Sequence, residues 1–161
     1  MSPADRYTLP QTTALFLLRM AAGWHLLYEG LTKLFDPNWS SYGFLSESQW
    51  ILKGFAEWIL SGEGLLKTAD LLNIWGLIAI GAGLLLGLFA RPAALAGAIL
   101  LLLYYLSSPP LPGMSYSLPS EGSYLIVNKT LIEALALLVL YLFPTSRDLG
   151  IDRLIHSKKL F

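Results

Sequence analysis

Residues 12–35 read TTALFLLRMAAGWHLLYEGLTKLF. At about 1.5 Å per residue, such a run closed into a helix is long enough to cross the roughly 30 Å hydrocarbon core of a bilayer. Yet it carries Arg19, His25, Glu29 and Lys33. At about 100° per residue, with Arg19 as zero, the four fall near 0°, 240°, 280° and 320°, within one arc of roughly 120°. An arginine at the centre of a membrane helix costs about 2.5–3.5 kcal/mol on insertion scales. A stripe of ionisable groups therefore has to look into a bundle or a wet cavity, and the other apolar runs read as walls around it. Two readings of the stripe stay open from these residues. It is a ligand or proton site, or a set of ion pairs that holds the bundle together.

Composition supports the membrane class. The chain has 161 residues, 55% of them hydrophobic and 14% charged, where an average globular domain is about a quarter charged. This is one small membrane domain over residues 1–161, all-α, and no water-soluble core need be sought. A formal net charge of zero gives no reason to expect nucleic acid as a partner. The chain has no Cys, which removes disulfide relays, iron–sulfur clusters and thiolate chemistry. Of its two His, only His25 lies in a span, so neither a haem held by two histidines nor a metal site is expected. The N-terminus shows no basic n-region and no small-residue cleavage site, so the first span is expected to serve as its own insertion signal.

The periodicity and punctuation predict an integral membrane four-helix bundle. Its spans run over about residues 12–35, 71–89, 91–106 and 124–143, with Thr12 or Thr13 as N-cap of the first. Asp36-Pro37-Asn38-Trp39 opens a long polar connection with a turn. Inside that connection Ser46-Glu47-Ser48-Gln49 reads as a capping box for an amphipathic helix over about residues 47–60. Its residues Trp50, Ile51, Leu52, Phe55, Trp58 and Ile59 share one face, with Lys53 and Glu57 opposite. That face suits either the membrane surface or a lid over the bundle mouth. In the second span Ala79, Gly83 and Gly87 form a ridge of small residues that packs within one chain or between two copies of a homo-oligomer. Tyr104 and Tyr105 read as interfacial anchors, and residues 107–123 as an irregular loop. The tail around Leu149 to Ile155 reads as a short amphipathic turn.

Charge sets the expected topology. The first connection holds two Lys against five acids, while Arg6, Arg91, Arg147, Arg153, Lys158 and Lys159 lie toward the other end. The positive-inside rule then puts both termini and the Arg91 turn in the cytoplasm and the amphipathic helix outside, in a multi-pass protein of a prokaryotic inner membrane. Depth follows from the same spans. Arg19 lies roughly 10 Å from the inner boundary and Glu133 roughly 14 Å from the outer one, which predicts an Arg19–Glu133 pair near mid-membrane. Glu29 with Lys33, and Lys129 with Glu133, are i,i+4 pairs that can meet on one face.

A lipid-soluble quinone needs an apolar channel, hydrogen bonds to its two carbonyls and a group that takes or gives protons. His25 and Glu29 are the candidate proton carriers. Arg19, Asn128 and Glu133 are the candidate quinone-binding groups. The same residues also suit a non-catalytic scaffold, or a carrier of a small lipid-like molecule, in which the charges serve packing.

Four stretches carry a family resemblance. They are Leu18-Arg19-Met20-Ala21-Ala22-Gly23 running on to Glu29-Gly30-Leu31-Thr32-Lys33-Leu34, and Gly81-Ala82-Gly83-Leu84-Leu85-Leu86-Gly87-Leu88-Phe89-Ala90-Arg91-Pro92. The others are Asn128-Lys129-Thr130-Leu131-Ile132-Glu133-Ala134-Leu135-Ala136-Leu137-Leu138, and Pro144-Thr145-Ser146-Arg147 with Gly150-Ile151-Asp152-Arg153-Leu154. In order and spacing they resemble the DoxX/DoxD family of four-helix membrane proteins, and the long first connection is closer to the DoxD branch. The resemblance implies a membrane subunit of a thiosulfate:quinone oxidoreductase type, working with quinone, membrane lipids and a second redox subunit. It carries Arg19, Glu29, Lys33, Arg91, Asn128 and Glu133 as recurring polar positions. His25 has no counterpart in it and rests on the residue reading alone. Without Cys in this chain, sulfur chemistry would fall to a partner.

Overall fold

A computed structural model describes residues 7–117, 125–146 and 149–153. The described residues form α1 (Leu9–Phe35), α2 (Tyr42–Ser46), a 3-10 turn (Trp50–Leu52), α3 (Lys53–Leu60), α4 (Glu63–Leu86), α5 (Ala90–Ser107) and α6 (Lys129–Leu142). The all-α expectation holds. The four long helices α1, α4, α5 and α6 each pack on the next, and the ring closes only loosely between α6 and α1. Neighbours run antiparallel. Gly23 abuts Leu84 and Leu85 while Gly30 abuts Ile78, and Gly97 meets Leu137. One end of the bundle carries the first connection (the connection end). The other carries the start of α1, the α4–α5 turn and the residues after α6 (the tail end).

Helix boundaries differ from the sequence expectation where local hydrogen bonding outweighs hydropathy. The α1 cap is Thr8, not Thr12 or Thr13. Thr8 N donates to Gln11 Oε1 at 2.9 Å in a capping box, and Pro10 sits in the first turn, where its missing N–H costs nothing. The Asp36-Pro37 turn forms as expected, with Asn38 N donating to Asp36 Oδ1 at 3.0 Å. By contrast, Ser46 to Gln49 make no capping box. Ser46 ends α2, and Gln49 N and Ser48 Oγ both donate to Ser107 O, at the end of α5. The long α3 expected over 47–60 is therefore split, and Trp50 takes a left-handed φ of 62° at the break. α4 begins at Glu63, well before its apolar part, because the Glu63–Lys67 pair at 2.6 Å supports an exposed first turn. The start expected for the fourth span, Tyr124, lies outside the described residues, and α6 itself begins at Lys129.

The core is a column of Leu26, Leu77, Leu84, Leu137 and Leu140, with Ala22, Ala94, Ala98 and Ala134 between the large side chains. The tightest seam joins α1 and α4. A Cβ on Gly81 would collide with the backbone N of Leu27 and come within 2.7 Å of Gly23 O. The expected Ala79/Gly83/Gly87 ridge is thus not one packing face. Ala79 is exposed. Gly83 faces Ala93 across the α4–α5 turn. Gly87 ends α4 at φ 63°, where Leu88 N donates to Gly83 O at 3.0 Å in a Schellman closure. Because backbone meets backbone at Gly81, no side chain can yield there. Gly81→Val is expected to lower stability by about 3 kcal/mol, read as a lower unfolding temperature in detergent, whereas Gly76→Ala, with open space at its Cβ position, is expected to leave it unchanged.

Candidate functional site

The stripe on α1 divides into two clusters. At the tail end Arg19 is buried. Its Nη1 donates to Thr145 Oγ1 at 3.2 Å, its Nη2 donates to the Leu149 carbonyl, and its guanidinium lies 5.2 Å from the Phe16 ring centroid. The residues after α6 fold back to receive it. Ile151 N and Asp152 N donate to Leu86 O and Gly87 O at 3.1 and 2.9 Å. The Asp152 carboxylate accepts from Phe89 N at 2.8 Å and Ala90 N at 3.3 Å, capping α5, and lies in electrostatic range of Arg19. Phe89 holds φ 49° at this cap. Absence of a side chain at Gly87 lets Gly150 and the Arg19 guanidinium approach. Arg19, the α4–α5 turn and the tail are one clasp.

The expected Arg19–Glu133 pair does not form. Since α6 starts at Lys129, Glu133 sits one turn from the connection end of its helix and not near mid-bundle. Six residues separate Arg19 from His25 on α1, about 9 Å of rise, and Glu133 meets the later one. His25 Nδ1 lies 2.7 Å from Glu133 Oε1. From there a polar line climbs to the connection end. His25 Nε2 is 3.8 Å from Glu29 Oε2, and Glu29 Oε1 is 3.1 Å from Lys33 Nζ. Lys33 Nζ donates to Asn73 Oδ1 at 3.0 Å, and Asn73 Nδ2 donates to the Tyr104 hydroxyl. The Lys33 ammonium also lies 4.9 Å from the Trp39 ring centroid and 5.5 Å from that of Tyr104.

The line runs from open to closed. The His25 side chain is 57% exposed and that of Glu133 19%, in the loosely closed seam between α1 and α6. The Lys33 side chain is 14% exposed, covered by Trp39 from the first connection. An ionised carboxylate only accepts hydrogen bonds, so in the tautomer that bonds Glu133 the proton sits on Nδ1 of His25, and a neutral ring then keeps its lone pair at Nε2. Glu29, four residues on, faces that nitrogen from beyond hydrogen-bond length. His25 therefore stands between two carboxylates. Glu133 is in direct contact with Nδ1, and Glu29 stands 3.8 Å from Nε2.

His25, Glu29 and Glu133 are brought together as candidate residues, and the expected Glu29–Lys33 pair is present. Arg19 and Asn128 are not part of that group. Asn128 caps α6, its side chain accepting from Leu131 N at 2.9 Å. Asn128→Ala is expected to cost about 1 kcal/mol of stability and to leave any chemistry at His25 unchanged, a split that paired unfolding and ligand-binding measurements would show. Three participants were not singled out from the sequence: Asn73, Tyr104 and Asp152. Asn73 had a signal, a lone amide in an otherwise apolar run. Tyr104 looked like an ordinary interfacial aromatic. Asp152 sits in a short tail whose fold-back no local pattern announces.

A helical bundle in which α4 and α5 are long and apolar enough to cross a membrane, with a polar line on its first helix, is the class of protein defined so far. The family model named DoxX matches residues 14–107, more than half of the chain, and the chain belongs to the DoxX family. The match takes in α1 from residue 14 on and α2 to α5, and with them Arg19, His25, Glu29, Lys33, Asn73 and Tyr104. It leaves out α6 with Glu133 and the tail with Asp152. No curated protein and no solved structure matches the chain.

Proposed function

We propose that the chain is the membrane subunit of a quinone-linked oxidoreductase and that it receives the quinone headgroup at His25, in the seam between α1 and α6. The observation that carries this reading is the 2.7 Å His25–Glu133 contact beside an exposed imidazole edge. Membrane placement of α1 and α6 goes with it. α6 has 14 residues, about 21 Å of helix. The exposed apolar residues Leu125, Ile126 and Val127 before it and Phe143 after it extend its apolar surface. The termini are on the cytoplasmic side of a prokaryotic inner membrane, following the positive residues at the tail end.

The residues present fit such a headgroup. Nε2 of His25 offers a lone pair, Ala21 one turn earlier is small and exposed, and Trp24, Tyr28 and Ile132 are exposed apolar residues near it in the α1 and α6 sequences. Bound quinone supplies two-electron, two-proton chemistry, and a second redox subunit is the electron partner. This chain handles the proton. Glu133 holds Nδ1–H, which leaves Nε2, on the Glu29 side of the exposed ring, to accept a proton from a ligand hydroxyl or, once protonated, to return one to a carbonyl oxygen. Glu29 balances the charge on the ring, and Lys33 with Asn73 keeps Glu29 from turning away. A second reading, a non-catalytic scaffold or lipid carrier, is favoured by the two candidates that serve packing, Arg19 and Asn128.

Titration of a short-chain quinone into nanodisc-held protein in which Trp24 is kept and the other four tryptophans are replaced by Phe, followed through the Trp24 emission, separates the two readings. Saturable quenching that weakens about tenfold in His25→Ala, a change of about 1.4 kcal/mol, supports the redox reading. Identical titrations of wild type and variant favour the scaffold.

A further inference from the structure

Residues 50–60 have three distinct faces. Ala56 and Ile59 are buried, and α3 packs against α4. Lys53 and Glu57 pair at 3.9 Å on an exposed side. Trp50, Ile51, Phe55 and Trp58 are exposed, with Phe55 and Trp58 stacked at 5.8 Å between centroids. A large, exposed apolar face on a soluble surface marks an interaction site.

The segment is fixed, not hinged. Gln49 N donates to Ser107 O at 3.0 Å, Ser48 Oγ donates to the same carbonyl at 3.3 Å, and Gln49 Nε2 donates to Ser115 O at 3.1 Å. Upstream, Ser41 N donates to Asp70 Oδ1 at 2.8 Å and Ser40 Oγ to Asp70 Oδ2 at 2.9 Å. These bonds tie it to α4 and to the last residue of α5, so it is not a lid that swings. They also set its height. Ser107 is where one of the two helices able to cross a membrane ends. The exposed Leu71, Leu72 and Trp75 continue an apolar surface along the other, α4.

We propose that Trp50, Ile51, Phe55 and Trp58 form an interfacial anchor immersed in the bilayer leaflet at the connection end, with phospholipid as their partner. Three features select lipid over protein. The face mixes Trp and Phe with Ile and carries no charge, the composition that settles at the boundary of headgroup and acyl chain. Lys53 and Glu57 lie on the side away from it, where water would be. And the face lies level with the end of an apolar span. The left-handed Trp50, the first residue of the 3-10 turn, marks where the chain bends into this plate. The inference rests on the membrane placement of α4 and α5 and is independent of quinone.

The chain has no Cys, so single cysteines can carry spin labels on the full-length protein in liposomes. Labels at Ile51→Cys, Phe55→Cys, Lys53→Cys and Glu57→Cys are compared for collision with oxygen, which concentrates in lipid, and with a nickel chelate, which stays in water. Leu72→Cys on α4 serves as reference. The anchor requires a reversal of sign in the depth parameter within one turn: oxygen dominant at 51 and 55, nickel dominant at 53 and 57. Nickel dominant at all four with oxygen dominant at 72 would overturn the anchor while leaving the bundle in the membrane. Protection from both reagents at 51 and 55 would assign the face to a protein partner and equally overturn it. Nickel dominant at 72 would remove the membrane placement on which the anchor rests. All four sites are exposed, and matching circular dichroism of each labelled protein excludes misfolding.

Discussion

Asp152→Ala is expected to lower the stability of the protein by about 2–4 kcal/mol, since each buried backbone donor left without its acceptor costs about 1–3 kcal/mol. Its carboxylate is buried and accepts from Phe89 N and Ala90 N. Without it two backbone donors at the start of α5 are stranded, and Arg19 loses the nearby negative charge of Asp152. Asp152→Asn retains an acceptor for one of the two N–H groups and is expected to fall between. Thr145→Ala removes only the 3.2 Å bond to Arg19 and is expected to cost about 1 kcal/mol. Arg19→Met combined with Asp152→Asn should be more stable than the sum of the single changes, because neither leaves the other's charge buried and alone. Denaturant unfolding in mild detergent reads all four. An Asp152→Ala protein as stable as wild type would show that the tail does not clasp the bundle.

Glu133→Gln is expected to produce the largest functional loss, about 10²–10⁴-fold in the turnover of the proposed quinone-linked reaction, the usual contribution of a positioned acid or base. A neutral amide at Glu133 can present either its carbonyl or its NH₂ to Nδ1. Where it presents the NH₂, the imidazole proton moves to Nε2, and the lone pair there is lost. His25→Ala should lose as much. Glu29→Gln should lose less, since Glu29 is 3.8 Å from Nε2 and acts through charge, not through a direct bond. None of the three is expected to cost much stability, because His25 is largely exposed and the α1–α6 seam is loosely packed. The pattern of low turnover with an unchanged unfolding curve separates these residues from Arg19 and Asp152, for which the two fall together.

Periodicity in the sequence was enough for the four long helices, for the stripe on α1 and for the Glu29–Lys33 pair, because each depends on repeats within one helix. Pairings between helices depend on where each helix starts, and there hydropathy misleads. Reading the fourth span from Tyr124 placed Glu133 too deep and joined it to Arg19. The helix that begins at Lys129, capped by Asn128, raises Glu133 to the level of His25. Likewise the Ala79/Gly83/Gly87 ridge has helical spacing, but only three-dimensional packing tells that Gly81 is the position α1 touches. The clasp at Arg19 joins residues 126 and 130 positions apart in the chain, beyond the reach of any local pattern.

Mass spectrometry of the lipids that co-purify with the protein in nanodiscs drawn from its native membrane decides whether His25, aligned by Glu133, receives a quinone. Near-stoichiometric quinone in wild type, retained in Thr145→Ala and lost in both His25→Ala and Glu133→Gln, is the expected result. Bulk phospholipid alone in wild type, or quinone retained unchanged in both variants, would contradict it and leave a DoxX-family bundle whose polar line serves its architecture.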